Sequence, residues 1–339
     1  MPALLTCLAL LATAQLALGC GAGSERDRAG RVATVFHEER VAPRIIDLDV
    51  RSPALGTTAM VRLMTPDGWA ASGTSRRWPV LYLLHGCCDS YESWTRSTDI
   101  EALPQLRDVL VVMPEAGAVG FYSNWHGSGG ERAPAWEEFH LTEVRQLLER
   151  DYGAGRRRAI AGLSMGGLGA MGYAARHPGL FRAAASFSGL LHPLRDDALL
   201  LALFSRFTPN PRAIWGDPVA DRAIWARHDP TELADRLRGL PLFVSAGNGR
   251  PGPLDASTQG NDLIEPTVLR ESRAFVSRLE RLDIPVRTDF YGAGTHSWPY
   301  WQRALERALP TLLAELKPAR GDEPAATIDD PTTARATRR

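Results

Sequence analysis

The chain of 339 residues reads as an α/β protein, a doubly wound and mostly parallel sheet with helices on both faces. Three observations predict this. Short apolar runs alternate with helical patterns through the middle of the chain. Most of those runs are apolar on both faces, as strands in a covered parallel sheet are. One of them ends in Gly162-Leu163-Ser164-Met165-Gly166, a G-x-S-x-G turn that opens a helix of small residues. At 44% hydrophobic and 23% charged, the chain can bury a sizeable core. Its length would admit two domains, but neither a linker nor a repeat interrupts 34–316, so one domain is expected there.

The elements follow in order. Residues 1–19, "MPALLTCLALLATAQLALG", carry no charge and end in small residues, too short an apolar run to span a membrane comfortably. Residues 1–22 therefore read as an export signal, although the usual basic residue at the start is missing. Cleavage after Gly19 or a nearby alanine is one outcome. The other is a lipobox, "ALGC", with Cys20 as the lipidated residue. A polar leader runs to about Ala33. "RIIDLDVRS" (44–52) and "TTAMVRLMT" (57–65) form an antiparallel pair leading into the sheet. Strands are predicted at 79–86, 108–115, 157–164, 182–189, 240–248 and 284–292. Helices are predicted at 133–153, 165–178 and 265–282. Residues 190–239 break the rhythm with Pro, Trp and polar residues and read as a small inserted cap. The end of the chain, 317–339, has no apolar period and reads as a disordered tail.

Charge and cysteine content narrow the chemistry. Basic and acidic residues number 39 each, so no net field draws the chain to nucleic acid or to an anionic membrane. A neutral small-molecule substrate is the default, with membrane attachment only through a lipid on Cys20. Of four cysteines, Cys7 and Cys20 fall in the leader, leaving the adjacent pair Cys87-Cys88. Neighbours bond only across a distorted peptide, so no disulfide framework is expected. No metal is expected either: H-E-x-x-H is absent, and His85, His126 and His140 lack ligand spacing.

Two motifs overlap after the strand at 157–164. Beside G-x-S-x-G, residues 167–172 spell G-x-G-x-x-G, the turn that cradles a dinucleotide pyrophosphate. The dinucleotide site needs its first glycine in the turn and an acid near the end of the next strand. Gly167 already lies inside the helix, and "RAAASFSGLL" offers no acid. The three glycines are better explained by close packing of helix on sheet, and no cofactor is expected. Ser164 is the candidate nucleophile, with Gly162 and Gly166 sparing a clash between the arms of the turn.

A serine hydroxyl needs a base, and the base an orienting carboxylate, in the order Ser, acid, His along such a chain. His177 sits at a helix end, where capping explains it, and His192 and His228 fall in or near the cap, where a surface role does. His296 follows the last strand on a Gly-rich loop and precedes a helix, the position from which a base reaches the turn. For the acid, Asp255 and Asp262 lie in the usual loop, while Glu265 and Glu271 lie at the start of and within the next helix. Spacing alone leaves these four open.

"FYSNW" (121–125), "AWEEFHLTEV" (135–144), "GLSMGG" (162–167), "FSGLLHP" (187–193), "AGNGRP" (246–251) and "GTHSWPYW" (294–301) occur in order. Together they resemble the esterase D and antigen 85 (mycolyltransferase) superfamily, in its secreted actinobacterial form. The resemblance implies an α/β-hydrolase fold and a Ser-His-Glu triad. In that family the acid opens the helix before the last strand, ten residues ahead of a Phe, and Phe275 points back to Glu265. The oxyanion hole would use the backbone N–H groups of Cys87 and Met165, which leaves both thiols of the Cys pair a packing role. Substrate contacts are expected from His85, Trp94, Trp125 and Trp298, although core packing explains the tryptophans nearly as well. Two departures lean towards a general esterase: His85-Gly86-Cys87-Cys88 replaces an Asp-Gly-Leu-Arg type loop, and Gly166-Gly167 replaces Ala-Ala. The expectation is a secreted or envelope-bound, monomeric serine esterase acting on a small ester or acyl-sugar. The alternatives are an acyltransferase using a sugar hydroxyl and a non-catalytic carbohydrate-binding protein on the same fold.

Overall fold

The computed structural model describes residues 32–70, 76–127 and 133–317. The expected export signal at 1–22, with Cys20, and the tail from 318 onwards lie outside them. Among the described residues nine strands form one sheet: β1 (Thr34–Ala42), β2 (Ile45–Ser52), β3 (Thr57–Met64), β4 (Trp78–Leu84), β5 (Leu110–Pro114), β6 (Ala154–Leu163), β7 (Ala183–Phe187), β8 (Leu242–Gly247) and β9 (Arg287–Gly292). Their order is β1-β2-β3-β5-β4-β6-β7-β8-β9. The pairs β1–β2, β2–β3 and β3–β5 are antiparallel, and the strands from β5 across to β9 run parallel. This is the doubly wound, mostly parallel sheet that the alternating pattern predicts.

Why the central strands carry apolar residues without alternation is plain in β4. Val80, Tyr82 and Leu84 pack into one core cluster and Leu81 and Leu83 into another, so both faces are covered. Helices supply the covers: α1 (Ser93–Ser97), α2 (136–151, wound as a π-helix over Phe139–Val144), α3 (Met165–Arg176), then α4 (Asp197–Phe204), α5 (Arg212–Trp215) and α6 (Arg222–Arg227) in the cap, then α7 (Glu265–Arg281) and α8 (Trp298–Ala314). Leu168, Met171, Val268 and Phe275 bring α3 and α7 to the first cluster, while Leu305, Ala308 and Leu312 bring α8 to the second.

One strand lies outside the predicted set. β1 is largely exposed and pairs only with β2, and its run "TVFHEERVA" sets charges in mid-strand where periodicity would show. Charged side chains on an edge strand discourage pairing with another chain, which also hides the strand from a pattern search.

The cap is tied into the main core. Phe204 of α4, Trp215 of α5 and Trp225 of α6 are fully buried, and Phe121 meets Phe204 and Trp215 with ring centres 4.7 and 5.6 Å apart. The tryptophans that break the strand–helix rhythm are therefore the anchors of the cap. Beneath it, the chain leaves β4 for β5 on one side and returns in β6 on the other. The loops after β4 and β6 diverge at that switch, where open α/β sheets place their ligand crevice.

Candidate active site

Ser164 is the single residue between β6 and α3, with φ 52° and ψ −117°. Such backbone costs on the order of 1–3 kcal/mol and persists only when its surroundings enforce it. Here the Ser164 N–H donates to the Phe187 carbonyl at 2.9 Å, and the glycines allow the close crossing. A Cβ on Gly166 would lie 2.5 Å from the Leu84 carbonyl oxygen and 2.6 Å from that of His85, and one on Gly162 would strike the Gly166 carbonyl. Beyond the turn, a Cβ on Gly169 would sit 2.5 Å from the Tyr122 ring, and one on Gly167 would meet Ser186 Oγ at 2.5 Å. Gly167 thus serves close packing of helix on sheet, as read from the sequence, whereas Gly169 packs on Tyr122 of the loop after β5. Gly172 differs: a Cβ there would lie 2.8 Å from the guanidinium of Arg176 of the same helix, which is held by Glu137 and the Tyr122 carbonyl.

The loop after β9 carries His296, whose Nδ1 lies 2.7 Å from Glu265 Oε2. Glu265 is wholly buried in the first turn of α7, and its Oε1 accepts hydrogen bonds from Gly247 N–H at 2.6 Å and Ser188 Oγ at 2.8 Å. The other acids hold the surroundings. Asp262 Oδ1 accepts the N–H groups of Ile264 and Glu265, both at 2.7 Å, and Oδ2 accepts that of His296 at 3.4 Å. Asp255 accepts from Thr295 Oγ1, beside His296, and from Tyr300 Oη at 3.0 Å. Glu271 is elsewhere, accepting the His192 N–H at 2.9 Å; burial pushes its carboxyl up to about 8. The remaining histidines are engaged as well. His177 meets Glu137 at 2.6 Å and His192 meets Asp229 at 2.9 Å. His228 is buried and stacks on Trp215, so a surface role does not describe it.

Ser164 and His296 line one cavity of about 880 Å³, together with Cys87, Cys88 and Trp298. Its walls are mainly apolar. Leu199, Leu200 and Leu203 of α4, with Phe207, overhang it from the cap, and Ile264 closes one side. These cap residues were not singled out from the sequence. The signal was present in "DALLLALF", a helix without a polar face, which leaves Leu199 half exposed. Neither Cys87 N–H nor Met165 N–H has a protein acceptor among the described residues.

Three of the expected substrate contacts sit away from this cavity. His85 is 1% exposed; its Nε2 accepts the Ala116 N–H at 3.0 Å and its Nδ1 donates to the Gly86 carbonyl at 2.8 Å. Both nitrogens are thus spent on holding the loop after β4. Trp94 is fully buried and donates to the Leu84 carbonyl at 3.1 Å. Trp125 packs against the core and donates to the Gly120 carbonyl at 3.3 Å. Only Trp298 of these four reaches the cavity wall, edge-on to Trp301. The cysteine pair also differs from expectation: Cys87 and Cys88 form a disulfide across a trans peptide, with Cys88 exposed, so a packing role for two thiols is set aside.

A serine on a strained strand–helix turn, a carboxylate-paired histidine after the last strand and a crevice at the switch of a parallel sheet together define an α/β-hydrolase. The chain belongs to the Esterase family ("Putative esterase"), whose model matches residues 52–312. It is 33% identical to Esterase Rv1288 of Mycobacterium tuberculosis over 72% of this chain and 54% of that one, and so spans about half the length of that curated relative. It is 32% identical to the diacylglycerol acyltransferase/mycolyltransferase Ag85A of Mycobacterium leprae, over 78% of this chain and 81% of that one. Among solved structures, Mycobacterium tuberculosis MPT51 shares the fold, with a TM-score of 0.64 at 24% identity over 83% of this chain and 99% of that one. Ester hydrolysis or acyl transfer is the chemistry of the class.

Proposed function

We propose that the chain is an exported serine esterase that works through an acyl-enzyme on Ser164. The observation that carries this reading is His296, paired with the buried Glu265, on the same cavity as a serine held in strained backbone. Glu265 accepts from Nδ1, which fixes the tautomer with the proton on Nδ1 and leaves Nε2 as the base. Ser164 Oγ attacks the ester carbonyl carbon as its proton passes to His296. The oxyanion then takes hydrogen bonds from the N–H groups of Cys87 and Met165, each such donor being worth about 3–4 kcal/mol. Collapse expels the alcohol, which takes its proton from His296, and water admitted by the same base releases the acid.

The apolar walls suit the acyl part of a small ester or acyl-sugar, and no residue of the mechanism needs a second copy of the chain. Export rests on residues 1–22, free or held through a lipid on Cys20. Transfer to a sugar hydroxyl is the second reading, favoured by the acyltransferases among the relatives and by the open apolar crevice. Hydrolysis of p-nitrophenyl esters, with and without sugar acceptors, separates the two. Ser164→Ala should abolish turnover and labelling by a fluorophosphonate while leaving the fold intact. Turnover surviving in that variant would end the proposal. Absence of labelling in the wild type would favour a non-catalytic binding protein.

A further inference from the structure

The loop after β4 reaches the cavity as Gly86-Cys87-Cys88, and three features restrain it. Gly86 has no room for a side chain, because a Cβ would lie 2.5 Å from Leu163 Cδ1 and 3.4 Å from Ser164 Cβ. Cys88 sits at φ 66°, in the left-handed region, and its N–H donates to the Ala118 carbonyl at 2.9 Å. The disulfide then closes a small covalent ring through the peptide that joins Cys87 to Cys88.

We infer that the Cys87–Cys88 disulfide is the clamp that aims the Cys87 N–H into the cavity, making Cys88 a positioning residue for the reaction. This rests on the reading of that N–H as an oxyanion donor. The ring contains Cys87 ψ and Cys88 φ and so fixes the Cys87 Cα on which the N–H is hinged, while the Gly86 carbonyl, held by His85 Nδ1 at 2.8 Å, fixes the plane of the peptide that carries that N–H. Without the ring, a non-glycine residue at 88 leaves the left-handed region readily, since that region is disfavoured for side chains carrying a Cβ. The loop then swings and the donor is lost where charge develops. Donors acting mainly on the transition state lower kcat and leave KM nearly unchanged.

The disulfide lines the cavity and Cys88 is exposed, so a small dithiol reaches it. In reduction by dithiothreitol, a reagent thiolate attacks one sulfur and forms a mixed disulfide. The second reagent thiol then displaces the remaining bond. Two electrons and two protons pass to the protein, leaving two thiols and the cyclic oxidised reagent.

The test measures p-nitrophenyl butyrate hydrolysis by the intact chain before reduction, after it, and after removal of the reductant and reoxidation. Peptide mass mapping follows the state of Cys87 and Cys88, and circular dichroism follows the fold. Reduction should lower kcat by about five- to thirty-fold, the equivalent of the roughly 1–2 kcal/mol that a non-glycine residue loses in the left-handed region. KM should stay within about twofold, and reoxidation should restore kcat. Cys88→Ala should show the same loss and no response to dithiothreitol. Cys88→Gly, at home in the left-handed region, should recover most of that loss and also be insensitive. A reduced, folded wild type with undiminished kcat overturns the inference, as does Cys88→Gly no better than Cys88→Ala. Persistence of Ser164 labelling in either case shows that the clamp failed and the serine mechanism did not. A wild type that neither labels nor turns over takes both away.

Discussion

Replacing Glu265 by Gln tests the assignment of the acid most sharply, because the structure leaves the amide no good orientation. Glu265 Oε1 accepts from Gly247 N–H and Ser188 Oγ, both buried, while Oε2 faces His296 Nδ1 at 2.7 Å. If the Gln oxygen keeps the Gly247 and Ser188 bonds, its NH₂ points at His296. The ring must then accept at Nδ1 and carry its proton on Nε2, where it cannot take the serine proton. If the amide flips, a buried NH₂ faces the Gly247 N–H, donor against donor, at a cost of about 1–3 kcal/mol. The first arrangement is the cheaper one, and it disables the base. The comparable exchange in a serine-protease triad lowers turnover by about 10⁴, near 5.4 kcal/mol in the barrier. Glu265 does not line the cavity, so KM should change little. Asp255→Asn and Asp262→Asn, which disturb loop contacts and leave the ring pair in place, should each stay within about tenfold, roughly 1.4 kcal/mol. Steady-state hydrolysis of p-nitrophenyl butyrate by the three purified variants decides it. A Glu265→Gln enzyme within tenfold of wild type, or an Asp262→Asn enzyme as crippled as expected for Glu265→Gln, would refute the reasoning.

Three further outcomes are expected. Burial raises Glu271 from 4.5 to about 8, so the folded chain holds a proton there that the unfolded chain releases. Its contribution to stability is full below about 4.5 and declines as pH rises to about 8. Glu271→Gln keeps an acceptor for the His192 N–H and removes the titration, so its Tm advantage over wild type should widen between pH 5 and pH 8; parallel Tm profiles would rule this out. Gly169→Val drives a side chain into the Tyr122 ring and should cost about 1–3 kcal/mol, read as a lower Tm. Neither that variant nor wild type should bind NAD in a calorimeter, and saturable binding by the wild type would restore the dinucleotide reading. Leu203→Asp places a charge on the apolar wall under the cap. Its kcat/KM for the octanoate ester should fall at least about tenfold further than for the acetate, since each buried methylene is worth about 0.8 kcal/mol. Equal losses on both esters would remove the cap from acyl recognition.

Where a residue's neighbours along the chain decide its environment, the sequence was legible. The central strands are apolar on both faces because helices cover both, and the turn at Ser164 announces itself through Gly162 and Gly166, which only glycine can fill. β1 was not legible, since an exposed edge strand needs no apolar alternation. The tryptophans were ambiguous for a related reason. Trp94 lies in the short helix α1, Trp125 on a loop and Trp298 at the start of α8, and whether an indole faces the cavity or the core depends on packing partners far off in the chain. Trp94 is buried by Phe187 and Trp298, and only the last of the three is left on the wall.

The proposed acid is the most instructive of these cases, because the segment from the loop after β8 to the first turn of α7 sends three carboxylates to one histidine loop. Asp255 grips Thr295, Asp262 takes the main-chain N–H of His296, and Glu265 takes its ring. All three are near in sequence, all three are near in space, and each removes a different freedom from the same loop. Spacing therefore could not choose among them. What separates Glu265 is burial: it alone is fully withdrawn from water, with one oxygen held by Gly247 and Ser188 so that the other has a single direction left. A carboxylate free to rotate in solvent would hold the imidazole loosely. One wedged at the start of a helix, whose N-terminal dipole favours its charge, holds it at one angle. The two aspartates then keep the loop from carrying the ring away, so the geometry of the pair belongs to all three residues while only one of them touches the ring.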